Sequence, residues 1–134
     1  TFHKYWMPPV QEQIQDYIDF SNKYNVPMWL GESGENEEAW IDSFRILLET
    51  NNIGWCFWPY KKMDSDRGMV KFPKLKEWDE IIKYAELPKK NFEELRNAKP
   101  DRDIVKKALS DLLENIKFKN CEINKGYLKA LGLK

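Results

Sequence analysis

Apolar residues recur along residues 1–87 in two alternating patterns. Consecutive apolar residues such as Met28, Trp29 and Leu30 are typical of strands that are buried on both faces. Between these runs an apolar residue recurs at every third or fourth position, which predicts amphipathic helices. The alternation of strand and helix indicates βαβ units with a parallel sheet. The predicted strands cover residues 1–6, 26–33 and 53–60, the predicted helices cover 10–25, 35–52 and 72–87, and a polar loop is predicted over 61–68.

The sequence after residue 87 has helical spacing without a strand pattern. Polar turns separate its apolar stripes, so we predict short helices in this part of the chain. Asp101 or Asp103 is the expected N-cap of the longest one, because a short acidic side chain accepts hydrogen bonds from the first turn of a helix. The predicted helices cover residues 91–98, 101–116 and 124–133.

Three strands are too few for a complete parallel α/β domain. A doubly wound sheet usually has five or more strands, and a (β/α)8 barrel takes roughly 250 residues. The chain has 134 residues. We therefore predict an α/β fold in which residues 1–87 are about three C-terminal βα units of a (β/α)8 TIM barrel. Residues 88–134 are predicted to be a helical extension packed on those units.

The balance of charges argues against some classes of function. The chain has 22 basic and 22 acidic residues and a formal net charge of zero, which disfavours a nucleic-acid or membrane surface that depends on bulk charge. No apolar run approaches the roughly 20 residues that span a bilayer. Cys56 and Cys121 are too few for a disulfide framework or a zinc site, and they are either two free thiols or one bridge.

Aromatic and polar side chains gather where the predicted strands end. Six Trp, six Tyr and seven Phe make up 14% of the chain, and such residues serve both packed cores and stacking on sugar rings. In parallel α/β folds the functional groups lie at the carboxyl ends of the strands. A carboxylate beside an imidazole, a phenol and an indole suits glycoside chemistry, in which the carboxylate acts at the anomeric carbon. The strand-end residues are His3, Tyr5, Trp6, Glu32, Trp58 and Tyr60.

Glu32 follows the second predicted strand in the stretch Gly31-Glu32-Ser33-Gly34. From its position alone it is either a functional carboxylate presented at the rim of the sheet or an ordinary loop acid that caps the next helix. Glu35 is the competing acid, and its place just before a helix predicts capping or an interaction with the helix dipole. The sequence has neither a glycine-rich phosphate loop nor a GxSxG nucleophile elbow.

Three stretches resemble, in their order and intervals, the C-terminal part of glycoside hydrolase family 5, which includes cellulases and mannanases. The resemblance implies a (β/α)8 barrel and a retaining mechanism. The His-x-Tyr at residues 3–5 matches the end of the family's sixth strand, and the Gly-Glu-x-Gly at residues 31–34 matches its nucleophile motif. Trp58 matches the tryptophan that ends the eighth strand. The stretches are TFHKYW (residues 1–6), PMWLGESGEN (27–36) and GWCFWPYKKMD (54–64).

The resemblance also implies a role for each strand-end residue. Glu32 would attack the anomeric carbon to form a glycosyl-enzyme, Tyr5 would orient Glu32, and His3 would position the sugar. The family's acid/base glutamate follows an asparagine on its fourth strand, and this sequence has no such motif. The chain is therefore expected to supply the nucleophile and to be inactive when isolated. The expected substrate contacts are Trp58, Trp6 and Tyr60.

The expected ligand is a β-linked polysaccharide or oligosaccharide, as for a cellulase or glucanase. The resemblance implies no metal and no organic cofactor, and neither a nucleic acid nor a membrane is an expected partner. The missing N-terminal part of the same barrel is an expected partner, and a polymeric substrate implies secretion or the periplasm. Two alternatives stay open: a non-catalytic carbohydrate-binding module, and a structural α/β domain in which Glu32 has no function.

Overall fold

The computed structural model describes residues 1–4, 6–88 and 91–133 of the chain. The chain contains both helices and small sheets, which confirms the predicted α/β class. Short 3-10 turns lie at Gln11–Gln13 and Phe118–Asn120. The strands are β1 (Phe2–His3), β2 (Trp29–Gly34), β3 (Gly54–Trp58), β4 (Lys61–Met63), β5 (Val70–Phe72) and β6 (Glu122–Ile123), and the helices are α1 (Gln15–Tyr24), α2 (Glu38–Thr50), α3 (Trp78–Ala85), α4 (Phe92–Ala98), α5 (Arg102–Asn115) and α6 (Lys125–Ala130).

The first three strands form one parallel sheet in the order β1-β2-β3, so the predicted parallel arrangement is confirmed. His3 pairs with Glu32 across β1 and β2, and Gly34 pairs with Trp58 across β2 and β3. Because parallel strands run in one direction, their carboxyl ends lie side by side. This register brings the ends of β1, β2 and β3 to one edge of the sheet, where we expected the functional residues.

The chain divides into two compact units. The first unit comprises Thr1–Lys71 with Ile123–Lys134, and the second comprises Phe72–Glu122. The core of the first unit lies between the parallel sheet and helices α1 and α2, where apolar side chains are removed from water. A second cluster joins α2 to α6 through Ile41, Tyr127, Ala130 and Leu131. The buried residues of the main core are Phe2, Ile14, Leu30, Phe44, Leu48 and Ile53.

The loop predicted over residues 61–68 is wrong in part, because its first three residues form β4. The structure also contains β5 and β6, which the sequence pattern did not predict, and β4, β5 and β6 form a second sheet in that order. Each of these strands has two or three residues, which is too short for a clear alternation of apolar and polar positions. Lys61 and Lys62 in β4 also carry long charged side chains, which are typical of a loop in the sequence pattern.

The second unit contains the helices α3, α4 and α5. Asn91 accepts a hydrogen bond from the Glu94 backbone N–H at 2.8 Å and so caps α4. The Asp101 carboxylate accepts from the backbone N–H of Asp103 at 2.8 Å and of Ile104 at 3.2 Å. Asp101 is therefore the N-cap of α5. Among the described residues, no helix is long and apolar enough to cross a membrane.

Candidate functional site

A cleft opens at the carboxyl ends of the parallel strands. Its volume is about 160 Å³. A cavity of about 150 Å³ holds a single six-membered ring such as benzene, so this cleft has the size of one small ring. The structure brings three of the residues predicted for the site into its walls, namely Trp6, Glu32 and Trp58. The remaining lining residues are Ser33, Gly34 and Glu35.

Glu32 lies on the central strand of the three, with His3 on the neighbouring strand. His3 Nδ1 is 3.7 Å from Glu32 Oε2, and the Glu32 side chain is 37% exposed. Gly31 provides the room for this imidazole, because a Cβ atom at position 31 would lie 3.0 Å from His3 Nε2 and 2.4 Å from Thr1 Cγ2. The glycine before Glu32 thus lets β1 and its histidine approach the carboxylate.

Gly34 brings the end of β2 close to the end of β3. Its φ of +133° is one that glycine adopts readily, and a Cβ at this position would lie 2.0 Å from the carbonyl oxygen of Trp58. Only a residue without a side chain allows this contact between the two strands. Trp58 is the last residue of β3 and pairs with Gly34, and 58% of its surface is exposed. Trp58 thereby lines the same cleft as Glu32.

Glu35 does not cap helix α2. The carboxylate of Glu35 binds Lys62 Nζ on β4, and the Glu35 carbonyl oxygen accepts from Arg67 Nη1 at 3.2 Å. Helix α2 begins three residues later, and the Asn36 side chain accepts from the Glu37 backbone N–H at 2.8 Å. Capping by Glu35 is therefore wrong, because its carboxylate binds Lys62 on β4, and the interaction with the helix dipole stays a prediction.

Trp6 forms the wall of the cleft at the end of β1. It is 61% exposed, and its φ of 66° is unusual for a bulky residue. The Arg67 guanidinium carbon lies 5.3 Å from the centre of the Trp6 ring, within the range of a cation–π contact. Met7, the residue after Trp6, is also held in place, because the Trp40 indole donates to the Met7 carbonyl oxygen at 2.5 Å.

The other residues predicted for the site lie around the cleft or cannot be placed. Tyr60 is exposed and its ring faces Lys61, whose Nζ is 5.7 Å from the ring centre. Tyr5, predicted to orient Glu32, lies outside the described residues. Sequence reasoning missed Lys62 and Arg67, since the charged loop KKMDSDRG carries no signal for which acid or ring each cation contacts.

The C-terminal helix α6 holds the loop that carries Glu35. The Tyr127 hydroxyl donates to the Asn36 carbonyl oxygen, and burial raises the pKa of the Tyr127 phenol above its usual value. The Asn124 side chain donates to the Asp66 carbonyl oxygen at 2.7 Å, close to Arg67 in the chain. Asn124 and Tyr127 therefore support both the loop that contains Glu35 and the segment that contains Arg67.

Two carboxylates, Glu32 and Glu35, and two indoles, Trp6 and Trp58, line the cleft, and Lys62 binds the Glu35 carboxylate. A carboxylate in this setting can attack or electrostatically stabilise an electrophilic carbon, and exposed indoles bind flat apolar surfaces. Within the described ranges, no group of three or more His, Cys, Asp or Glu side chains could hold a metal ion. Cys56 and Cys121 are free thiols.

No protein-family model matches the chain, and it matches neither a curated protein nor a solved structure.

Proposed function

We propose that the cleft is the nucleophile side of a retaining β-glycosidase site of the kind that glycoside hydrolase family 5 possesses. The observation that carries this proposal is the position of Glu32 on the central strand, in one cleft with Trp6 and Trp58 and with His3 beside it. In this proposal the parallel sheet and its helices are the C-terminal βα units of a (β/α)8 barrel. The substrate is a β-linked glycan of the cellulose or glucan type, which implies secretion or the periplasm.

The proposed first step is attack by a Glu32 carboxylate oxygen on the anomeric carbon. The bond between that carbon and the leaving oxygen breaks, its electron pair leaves with the oxygen, and a covalent glycosyl ester forms on Glu32. Water then hydrolyses the ester with retention of configuration. His3 positions the sugar and Trp58 stacks on its apolar face, as the resemblance implies.

An acid must protonate the leaving group of a natural glycan. Glu35 lines the same cleft, but its carboxylate forms an ion pair with Lys62, so we do not assign it the role of proton donor. We therefore assign the acid/base role to a residue of the N-terminal part of the proposed barrel.

A glycoside with an activated leaving group tests the nucleophile without needing that acid. A 2,4-dinitrophenyl 2-deoxy-2-fluoro-β-glycoside expels a stable phenolate, and the fluorine slows hydrolysis of the ester. We expect mass spectrometry of the whole chain to show one covalent sugar, on the peptide that contains Glu32. Glu32→Gln should remain unlabelled, whereas the matched variant Glu35→Gln should be labelled. Labelling of Glu35, or no labelling by gluco, manno and xylo reagents, would contradict the proposal.

A second candidate function is carbohydrate binding without catalysis. The exposed indoles of Trp6 and Trp58 favour it, because sugar stacking needs no reactive carboxylate. This candidate predicts glycan binding that Glu32→Gln does not weaken, together with an unlabelled chain in the same experiment.

A further inference from the structure

The conformation of Trp6 is costly unless something holds it. A bulky residue with φ near +60° is a backbone outlier, and such strained conformations persist only where their surroundings impose them. An exposed indole on a strained residue has no contribution to the core that would explain the cost. Trp6 nevertheless lines the cleft next to Glu32, so its position matters there.

Arg67 holds Trp6 from outside the cleft. Its guanidinium lies 5.3 Å from the centre of the Trp6 ring, and the same guanidinium donates to the Glu35 carbonyl oxygen at 3.2 Å. Arg67 is not a lining residue of the cleft. One side chain therefore connects the Trp6 wall to the Glu35 wall while the interior of the cleft stays open.

The segment of residues 61–71 supplies a second contact to the same rim. Lys62 of β4, five residues before Arg67, binds the Glu35 carboxylate. The Asn124 backbone N–H donates to the Met69 carbonyl oxygen at 2.9 Å, and this bond joins the segment to the residue that precedes α6. Two cations on one supported segment thus fix both walls of the cleft.

We infer that Arg67 is a positioning residue that fixes Trp6 as a second sugar platform in the cleft that contains Trp58. The inference rests on the proposed function, because it takes the ligand to be a pyranoside. It assigns stacking on the sugar ring to both Trp6 and Trp58, whereas the proposed function needs only Trp58. The cation–π attraction between a guanidinium and an indole is stronger when water is excluded. A bound sugar and Arg67 therefore strengthen each other's contact with the Trp6 ring.

The first measurement needs no ligand. The indole N–H resonance of Trp6, assigned with Trp6→Phe, is followed by NMR in the whole chain. Arg67→Ala should shift and broaden this signal and increase quenching of Trp6 fluorescence by acrylamide. Arg67→Lys should restore part of the effect, because an ammonium also binds an indole face. Arg102→Ala removes an exposed arginine from α5 and should change neither signal. An unchanged Trp6 signal in Arg67→Ala would overturn the inference.

The second measurement is a double-mutant cycle on the affinity for cellotetraose, mannotetraose and xylotetraose. Arg67→Ala should weaken binding about three- to fivefold, the range expected for one cation–π contact. Trp6→Ala should weaken it more, and adding Arg67→Ala to Trp6→Ala should cause no further loss, since the two act through one ring. Independent, additive losses would overturn the inference alone. If the unmodified chain bound none of the three sugars, the proposed function would fail, and this inference with it.

Discussion

At the scale of single residues, the cleft is built by the absence of side chains as much as by their presence. Gly31 leaves room for His3, and Gly34 lets β2 contact the backbone of Trp58. The sequence showed glycines on both sides of Glu32 but could not show what they accommodate. That information depends on the register between strands, which brings residues 3 and 58 to positions 32 and 34.

Gly34→Ala should destabilise the chain by at least about 2 kcal/mol, because alanine is strained at this φ and its Cβ would overlap a backbone oxygen that cannot rotate away. Gly68→Ala is the matched control, since a Cβ there would meet its nearest atoms at an ordinary 3.5 Å. Urea unfolding of the two variants measures the difference. Equal midpoints for Gly34→Ala and Gly68→Ala would contradict the role of Gly34.

Tyr127 should make the stability of the chain sensitive to alkaline pH. Burial raises the pKa of its phenol in the folded chain, so the unfolded chain loses this proton first as pH rises. The stabilisation is complete below about pH 10, the usual pKa of tyrosine, and is lost as pH rises from there through the folded pKa. Tyr127→Phe should flatten this alkaline loss.

The same variant should cost about 1 kcal/mol at neutral pH, because the Asn36 carbonyl oxygen loses its hydrogen bond. Urea unfolding at pH 7 and at several values from pH 9 to 11 checks both effects. Tyr60→Phe, at an exposed tyrosine, should change neither. An alkaline loss that is as steep in Tyr127→Phe as in the original chain would exclude Tyr127 as its source.

At the scale of elements, the sequence predicted what depends on local pattern and missed what depends on pairing. Strands β2 and β3 were predictable because their apolar residues are consecutive, and α2 was predictable from its regular apolar stripe. The short β4 was not, since Lys61 and Lys62 give it the composition of a loop. The contacts of Lys62 with Glu35 and of Arg67 with Trp6 join residues far apart in sequence. No periodicity specifies such partners, whereas the clustering of Glu32 and Trp58 followed from the rule for parallel strand ends.

The capping of α5 is an element-scale property that can be tested directly. Asp101→Ala should destabilise the helix by about 1 kcal/mol, because two backbone N–H groups lose their acceptor. Asp101→Ser keeps a capping oxygen and should retain most of the stability. Hydrogen exchange at the amides of the first turns of α5 reports the change. Equal exchange in the alanine and serine variants would mean that the cap contributes nothing.

At the scale of the whole molecule, burial of apolar side chains is uneven along the chain. In the first unit, Leu30, Phe44 and Leu48 are almost completely buried against one another. In the second unit, α3 and α4 contain no buried residue, and α5 contains only Ala108. Phe92 of α4 is 88% exposed. Since helices in proteins gain most of their stability from a packed face, the elements of this chain should differ widely in stability.

Native-state hydrogen exchange should therefore be slowest in β2 and α2 and fast in α4. Opening of β2 and α2 disrupts the main core and should need nearly the full free energy of unfolding, whereas α4 can open without exposing a buried side chain. Protection factors should differ at least about a hundredfold between the amides of Leu30 and Leu95. Leu95→Ala should leave the exchange of Leu30 unchanged, and Leu48→Ala should accelerate it, because Leu48 belongs to the same core. Similar protection of β2 and α4 would show instead that the chain opens as a single cooperative structure.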